Sequence, residues 1–558
     1  MAEHPAYIRE VIGSSPIGGT FFLMAMSARF RWCLFLILLT LPALACQTLS
    51  KLIELEGPED KATDVVFSDP TATPRPTRTP GPTRTAQPTL SASLIPAAEA
   101  SWDLRPEFAE DAALFPNATR YTIDVTVKFS DDTATLTGRE HILFTNTQAV
   151  TLDHTYLMLW PNDDLQYFSD FELSNVTVNG IPTEFTLEHD GLAARIELED
   201  TLETGQSVEV SAEFFIEAFP GIETQGPARF GLTRGILLAP TFYPLIPRII
   251  NGEWQTQPAP SGGDTTNSDT ALYAWRVTAP VELAIVGTGR IVETTTSGDT
   301  HTQTLFTGPV RDLALVVGPL QLTQREVDGI TLNAYILPEH ADYADELLDF
   351  VEAQMTTLQD RIGPYPYTEL DIVDAPGAFG GIEYPGHIFI GVVDKPARLD
   401  FFETATVHEV GHQWFYGLLG DDQLLQPWLD EAAATYTEVL YAENVYGSEA
   451  AQTLLDEFRL YLQFGGADTE LPIGLGVADY VDTDYGLIVY IKGALFFDAL
   501  RSELGDDTFF AFLQAYYDAY RYGFTTTADF QRVAEETCAC ELDELFNLWV
   551  YEGGPIEP

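Results

Sequence analysis

His408 and His412, four residues apart in the run HEVGHQWFYGLL, are the residues whose type and spacing point most directly to chemistry. On a helix that spacing projects both imidazoles from one face, where they can grip a single ion. Glu431, after an eighteen-residue gap in WLDEAAATYTE, is placed to supply a third ligand from the next helix. Two imidazoles and a carboxylate suit Zn2+, and three protein ligands leave the fourth tetrahedral position to water, the catalytic rather than the structural arrangement. Glu409, beside the first histidine, then stands where a base takes a proton from that water. Glu438 lies two helical turns beyond Glu431 on the same face, as a candidate to orient a ligand histidine from behind.

The elements that must hold these groups are legible around them. FFETATVHEVGHQWFYGLL repeats apolar residues at Phe402, Ala405, Val407, Val410, Trp414 and Leu418, which predicts one helix stopped by Gly417 and Gly420. Pro427 and Trp428 lead into a second helix that opens with Asp430 and Glu431. A helix, a loop and a returning helix bring Glu431 back toward the two histidines.

Taken together, HEVGHQWFYGLL and WLDEAAATYTE resemble the HExxH-x18-E signature of the aminopeptidase N and leukotriene hydrolase family of gluzincin zinc metallopeptidases. Thermolysin-type endopeptidases space the glutamate one residue further away. Two other runs strengthen the resemblance. GAFGGIEYPGHIFIGV is similar to the family's GxMEN exopeptidase motif, with Gly381, Ile382, Glu383 and Tyr384 standing where Ala, Met, Glu and Asn are usual. The resemblance implies that Gly381 and Glu383 bind substrate, Glu383 holding the free α-ammonium of a peptide. A buried carboxylate needs a cationic partner, and an internal peptide bond offers none. The departures at Ile382 and Tyr384 bear on the shape of the first specificity pocket. VYIKGALFFDAL is similar to the segment with the family's catalytic tyrosine, and Tyr490 is the match. The implied role of its phenol is to donate a hydrogen bond to the oxyanion, a contribution of about 3 kcal/mol in comparable sites. The family also carries a glutamine-bearing substrate segment in its β domain, and LLAPTFYPLIP, with Tyr243, is the candidate for that place.

Composition sets outer bounds. The 558 residues allow two or three domains, and 45% apolar content fits globular ones. A net charge of −56, with five lysines beside 23 arginines, argues against nucleic acid or anionic lipid as the main partner and suggests a strongly solvated or high-salt surface. Four cysteines are too few for a disulfide scaffold, and Cys538 and Cys540 are near enough in sequence to be either two thiols or a labile redox pair.

The N-terminal 45 residues read as an export signal, with Arg29 and Arg31 before an apolar run from Trp32 to Ala45 and Met26 as an alternative start. Ala43, Leu44 and Ala45 before Cys46 resemble a lipobox, which implies a lipidated Cys46 anchoring the chain to the outer face of a bacterial membrane; plain secretion or an uncleaved membrane anchor is the alternative. Residues 46–100 include a proline- and threonine-rich stretch suited to a semi-rigid tether.

The folded remainder is expected to be α+β and multidomain. From about Ser101 the period is two, as Tyr121, Ile123, Val125 and Val127 alternate with polar residues, and similar runs recur at HILFTN, VEVSAEFFI and YAWRVTA. Residues 101–318 therefore read as an all-β domain. From 319 to 558 a helical stripe at Ala344, Leu347, Val351, Met355, Leu358 and Ile362, strands at LDIVDAP and HIFIGV, and helices beyond His408 give the order of a thermolysin-like catalytic domain. The chain ends about seventy residues after Tyr490, where many relatives continue into a helical capping domain, so a more open cleft is expected. The implied activity is that of a zinc aminopeptidase acting on peptides with a free N-terminus. A related endopeptidase, or a binding protein on an inactive peptidase fold, is the alternative.

Overall fold

The computed structural model describes residues 103–555 except 164, 223–227, 261, 265–267, 379, 392–398 and 482–483. The export signal, Cys46 and the proline-rich tether lie outside the described residues.

Alternation of apolar and polar residues produces the β region. In Arg120–Phe129, Tyr121, Ile123, Val125 and Val127 are buried while Asp124, Thr126 and Lys128 are not. This strand lies at the centre of an eight-stranded sheet, antiparallel to Ala134–Thr145 and parallel to Ala271–Pro280. Ser207–Ala218, Ser169–Val178 and Ile181–Pro182 extend one side, Thr300–Val310 and Arg290–Ser297 the other. A three-stranded sheet (Leu152–Met158, Ala193–Leu202, Phe185–Glu188), a four-stranded one (Ala284–Gly287, Ala314–Gly318, Ile236–Pro240, Gly231–Thr233) and a two-stranded one (Ile249–Ile250, Glu253–Trp254) complete the region.

A five-stranded sheet follows, ordered Gln321–Val327, Ile330–Ile336, Glu369–Asp374, His387–Ile390, Gly381–Tyr384, so the strand carrying Glu383 is at its edge. Helix α1 (Ala344–Arg361) buries the predicted stripe, with Ala344, Leu347, Val351, Met355 and Leu358 all in the core. Beyond the sheet run α2 (Leu399–Gly411), α3 (Trp428–Tyr446), α4 (Ser448–Phe464), α5 (Gly493–Leu504), α6 (Asp506–Tyr520), α7 (Thr527–Cys538) and the short α8 (Asp543–Phe546). The α+β order of a β-rich part followed by a mixed and then helical part is thus as expected. Almost the whole of α3 is buried, including Asp430, Glu431 and Glu438, which makes it the axis of this half.

The predicted helix over the HExxH run is shorter than expected. It ends at Gly411 rather than near Gly417, and the chain then turns tightly, with Tyr416 at φ 92°. Trp414 and Leu418 continue the apolar stripe because these turns are themselves buried, so periodicity overruns the backbone change. Gly420 is not a helix stop but a clearance, since a Cβ there would fall 2.0 Å from Arg311 Cζ. Arg311 comes from the β region, donates to Tyr416 O at 2.9 Å and to Gly523 O, and lies 4.2 Å from the Phe524 ring centre. One buried guanidinium therefore joins the two halves directly behind the histidine helix. Of the two readings of Cys538 and Cys540, the structure has them bonded to each other at the end of α7. Among the described residues no helix is long and apolar enough to cross a membrane.

Candidate metal centre and active site

The two imidazoles meet as their spacing predicts. His408 Nε2 and His412 Nε2 are 3.1 Å apart, and Glu431 Oε2 lies 3.4 Å from the first and 3.3 Å from the second. Such separations are close to what tetrahedral bonds of about 2.0–2.1 Å subtend. Each ring is turned by a partner on its other nitrogen: His408 Nδ1 meets Glu438 Oε1 at 2.9 Å and His412 Nδ1 meets Phe415 O at 3.1 Å. Donation from Nδ1 leaves the Nε2 lone pair facing inward, which is what a metal ligand requires. Glu431 Oε2 is buried and takes no hydrogen bond, so one oxygen of the right chemistry is aimed at the same point. Burial works to raise the Glu431 carboxyl, yet the charge of His412 and the contacts of His408 and His412 hold it well below the usual range. The residues present therefore fit a zinc ion.

Close helix packing makes this geometry. Gly411 faces α3 so tightly that a Cβ would sit 2.4 Å from Thr437 Oγ1. Gln354 of α1 donates to Val407 O at 3.1 Å and to Thr437 Oγ1 at 2.9 Å, pinning α2 against α3. Leaving out either contact would loosen the distance between the histidines and the two glutamates of α3.

Glu409 is buried, with Oε2 unpartnered, and burial pushes its carboxyl up to about 7. It adjoins the Glu383 strand: a Cβ at Gly381 would fall 2.3 Å from Glu409 Oε1, so Gly381 is where the backbone must pass the base. Ligand atoms of Glu383, Glu409 and His412 all lie within 4.8 Å of one another. Glu383 is buried and accepts from Gln423 Nε2 at 3.2 Å; burial first, then the Asp264 carboxylate, push its carboxyl well above the ordinary range. Gln413, next to His412, receives Gly386 N–H at 2.8 Å and donates to Tyr384 O at 3.2 Å, which ties the end of α2 to the Glu383 strand.

Strand parity settles where Ile382 and Tyr384 point. They alternate with Gly381 and Glu383 and lie in a separate core cluster with Phe389, Val373 and Tyr335, so these two departures shape the core behind the strand rather than the cleft. Tyr243 requires a correction. Its ring is wholly enclosed among Tyr121, Phe242 and Tyr273, and its hydroxyl is spent on Tyr273 and Asp312. What the β region brings toward Glu383 is instead Arg229 and Asp264, an ion pair with no local signature in the sequence.

Tyr490 reaches Glu431 from the opposite side, donating to Oε1 at 2.5 Å with its ring parallel to His408 at 5.9 Å. It lies in a π-helical turn, Gly486–Lys492, a form that recurs at functional sites. The adjoining residues have physical jobs. Buried Lys492 donates to Thr469 O at 2.9 Å and Leu471 O at 2.7 Å, and Gly493 admits α3 so closely that a Cβ would lie 2.3 Å from that of Ala432.

Comparison with known proteins follows this geometry. Residues 346–549 match the Peptidase family M1 domain. Over 301 residues the chain is 25% identical to Aminopeptidase M1 of Arabidopsis thaliana, covering 51% of this chain and 34% of that protein. Against Aminopeptidase N of Streptomyces lividans it is 26% identical over 264 residues, 43% of this chain and 30% of the other. The chain thus spans about a third of the length of these curated relatives. Among solved structures, an M1 zinc metallopeptidase from Deinococcus radiodurans has the same fold, with a TM-score of 0.59 at 19% identity, covering 79% of this chain and 95% of that one. A variant of that protein was solved with a Tyr-Ser-Ala substrate. The stretch 346–549 that matches the Peptidase family M1 domain carries His408, Glu409, His412, Glu431 and Tyr490.

Proposed function

We propose that the chain is a zinc-dependent aminopeptidase that removes N-terminal residues from peptides. The observation that carries this reading is the buried Glu383 carboxyl, whose ligand oxygen lies within 4.8 Å of ligand atoms of both Glu409 and His412. His408, His412 and Glu431 would hold a single zinc ion. His412 Nε2 has one lone pair, so the overlapping trio of Glu383, Glu409 and His412 does not hold a second ion at the same time. When bound, zinc supplies Lewis acidity toward the scissile carbonyl and acidifies water to a pKa of about 7.

The chain's own groups do the rest. Glu383 takes the α-ammonium and so fixes which peptide bond comes within reach. Glu409 accepts the proton of the attacking water and returns it to the leaving amine, a transfer suited to a carboxyl pushed to about 7. Tyr490, released from Glu431 Oε1, is within reach to donate its hydroxyl hydrogen to the developing oxyanion.

Two measurements test the reading. Glu409→Gln is expected to keep zinc and to lower kcat by about a thousandfold, within the range of general-base removal. Acetylating a peptide's N-terminus is expected to abolish cleavage; equal turnover of blocked and free peptides would mark an endopeptidase instead.

The site is further proposed to act outside the cytoplasm, held by a lipidated Cys46 on its proline-rich tether. Support comes from Arg29, Arg31, the apolar run and the Ala-Leu-Ala-Cys junction. Cys46→Ser should release the enzyme from the membrane fraction, and unchanged fractionation would argue against lipidation.

A further inference from the structure

Gln423 is a side chain that meets Glu383 directly, its Nε2 donating to Oε1 at 3.2 Å with both residues buried. The loop that carries it is fastened at each end. Gly420 N–H donates to Gly523 O at 3.0 Å and Gly420 O accepts from Thr525 N–H at 2.7 Å, while Gln426 Oε1 accepts from Thr527 N–H at 2.7 Å and from its hydroxyl at 2.9 Å. Between them Leu424 O accepts from Val477 N–H at 2.9 Å. Chemistry then fixes which end of the Gln423 amide faces Glu383. An ionised carboxylate accepts and cannot donate, so the NH2 end is the one turned toward it. The carbonyl end, on the same carbon, projects to the other side and takes no hydrogen bond among the described residues. Glu383 Oε2 likewise takes none there. Neither of these two oxygens is sealed in protein, in contrast to Glu409 Oε2 and both oxygens of Asp421, which are enclosed without a hydrogen-bond partner. One hydrogen-bonded pair thus offers two accessible acceptors, one charged and one neutral.

We infer that Gln423 is a substrate-binding residue: its Oε1 accepts a hydrogen bond from the same α-ammonium that Glu383 holds through Oε2. An ammonium carries three N–H donors, and each one left unmatched in a nearly dry site costs binding energy. Glu383 Oε2 serves one of them, and a neutral amide oxygen serves a second without adding a charge. The Nε2 bond contributes as well, because it keeps the two acceptors side by side instead of letting either side chain swing alone. Gln423 lies in the loop between α2 and α3, so the stretch that joins His412 to Glu431 also reaches the amine.

The inference rests on Glu383 as the amine site, and the experiment separates the two. The zinc-loaded full chain is titrated by calorimetry with leucine hydroxamate and with its des-amino counterpart, which share the metal-binding group and differ in the α-ammonium alone. The amine-bearing ligand is expected to bind more tightly, and Glu383→Gln should erase that preference; if it does not, the aminopeptidase reading fails and this inference with it. Gln423→Met keeps the length of the side chain and removes the amide. It is expected to raise Kd for leucine hydroxamate about 10- to 100-fold, the worth of one hydrogen bond to a charged group, while Kd for the des-amino ligand changes less than about threefold. Equal losses for the two ligands would mean that Gln423 only supports the fold, and no loss that it stands clear of the amine. Either result overturns the inference while leaving Glu383 as the amine site. Should Gln423→Met yield no soluble protein, Gln423→Asn takes its place, drawing the amide back by one methylene, with the same selective loss expected and the same two results against it.

Discussion

The walls of the site proposed to face the metal and the substrate amine differ in how they are built. His408, Glu409, His412, Glu431 and Glu438 stand on or directly beside two successive helices, with His408 turned by Glu438 from the facing helix and His412 by Phe415 O three residues on. Glu383 stands on an edge strand, with Gln423 from a loop and the Arg229–Asp264 pair from the β region completing its surroundings. One wall is local and periodic; the other is assembled from afar. Their buried carboxylates teach the same lesson, because Glu431 and Glu438 face histidines, whereas Glu140 in the β sheet is buried with neither oxygen hydrogen-bonded.

The sharpest way to break the comparison is through the metal wall. Glu438→Gln is expected to lower zinc affinity by about 10- to 100-fold, the usual cost of an outer partner to a ligand histidine. Metal content after titration with a chelator measures it, and unchanged affinity would make Glu438 a bystander. Gly381→Ala tests the seam between walls. Its added methyl meets Glu409 Oε1 at 2.3 Å, so kcat is expected to fall about tenfold while zinc content stays constant, as a small displacement of a base suffices for that. Wild-type kcat would show that Glu409 has room to shift.

Glu140→Gln gives the smallest effect and lies in the β region. Burial raises the Glu140 carboxyl well above its ordinary value, so the folded state holds a proton that the unfolded state releases above about pH 4.5. Stability from this group is therefore intact at low pH and declines as pH rises. The variant should gain a few degrees in Tm at pH 8 and almost nothing at pH 4, as for other surplus buried charges. A Tm difference independent of pH would count against that account.

The difference between walls also explains what could be read from sequence. Residues whose partners lie three, four or nineteen positions away left a pattern, as did the alternating strands and the α1 stripe. The Gly411 end of α2 did not, because buried turns at Trp414 and Leu418 keep the apolar spacing of a helix. Tyr243 sits in a run similar to a substrate-binding segment, and only the three-dimensional packing of four aromatic rings reveals it as core. Arg229 and Asp264 resemble any loop charges until folding buries them together.

The π-helical turn that carries Tyr490 has a consequence for change over time. A helix that widens for one turn holds an extra residue, so its upstream and downstream parts are in phase only at this chain length. Deleting a single residue within Gly486–Lys492 would restore the ordinary pitch and rotate one part about 100° against the other. The Tyr490 hydroxyl on Glu431 and the clearance at Gly493 against Ala432 could not then both keep their places. This stretch should therefore accept substitutions at several positions but resist any change in its number of residues.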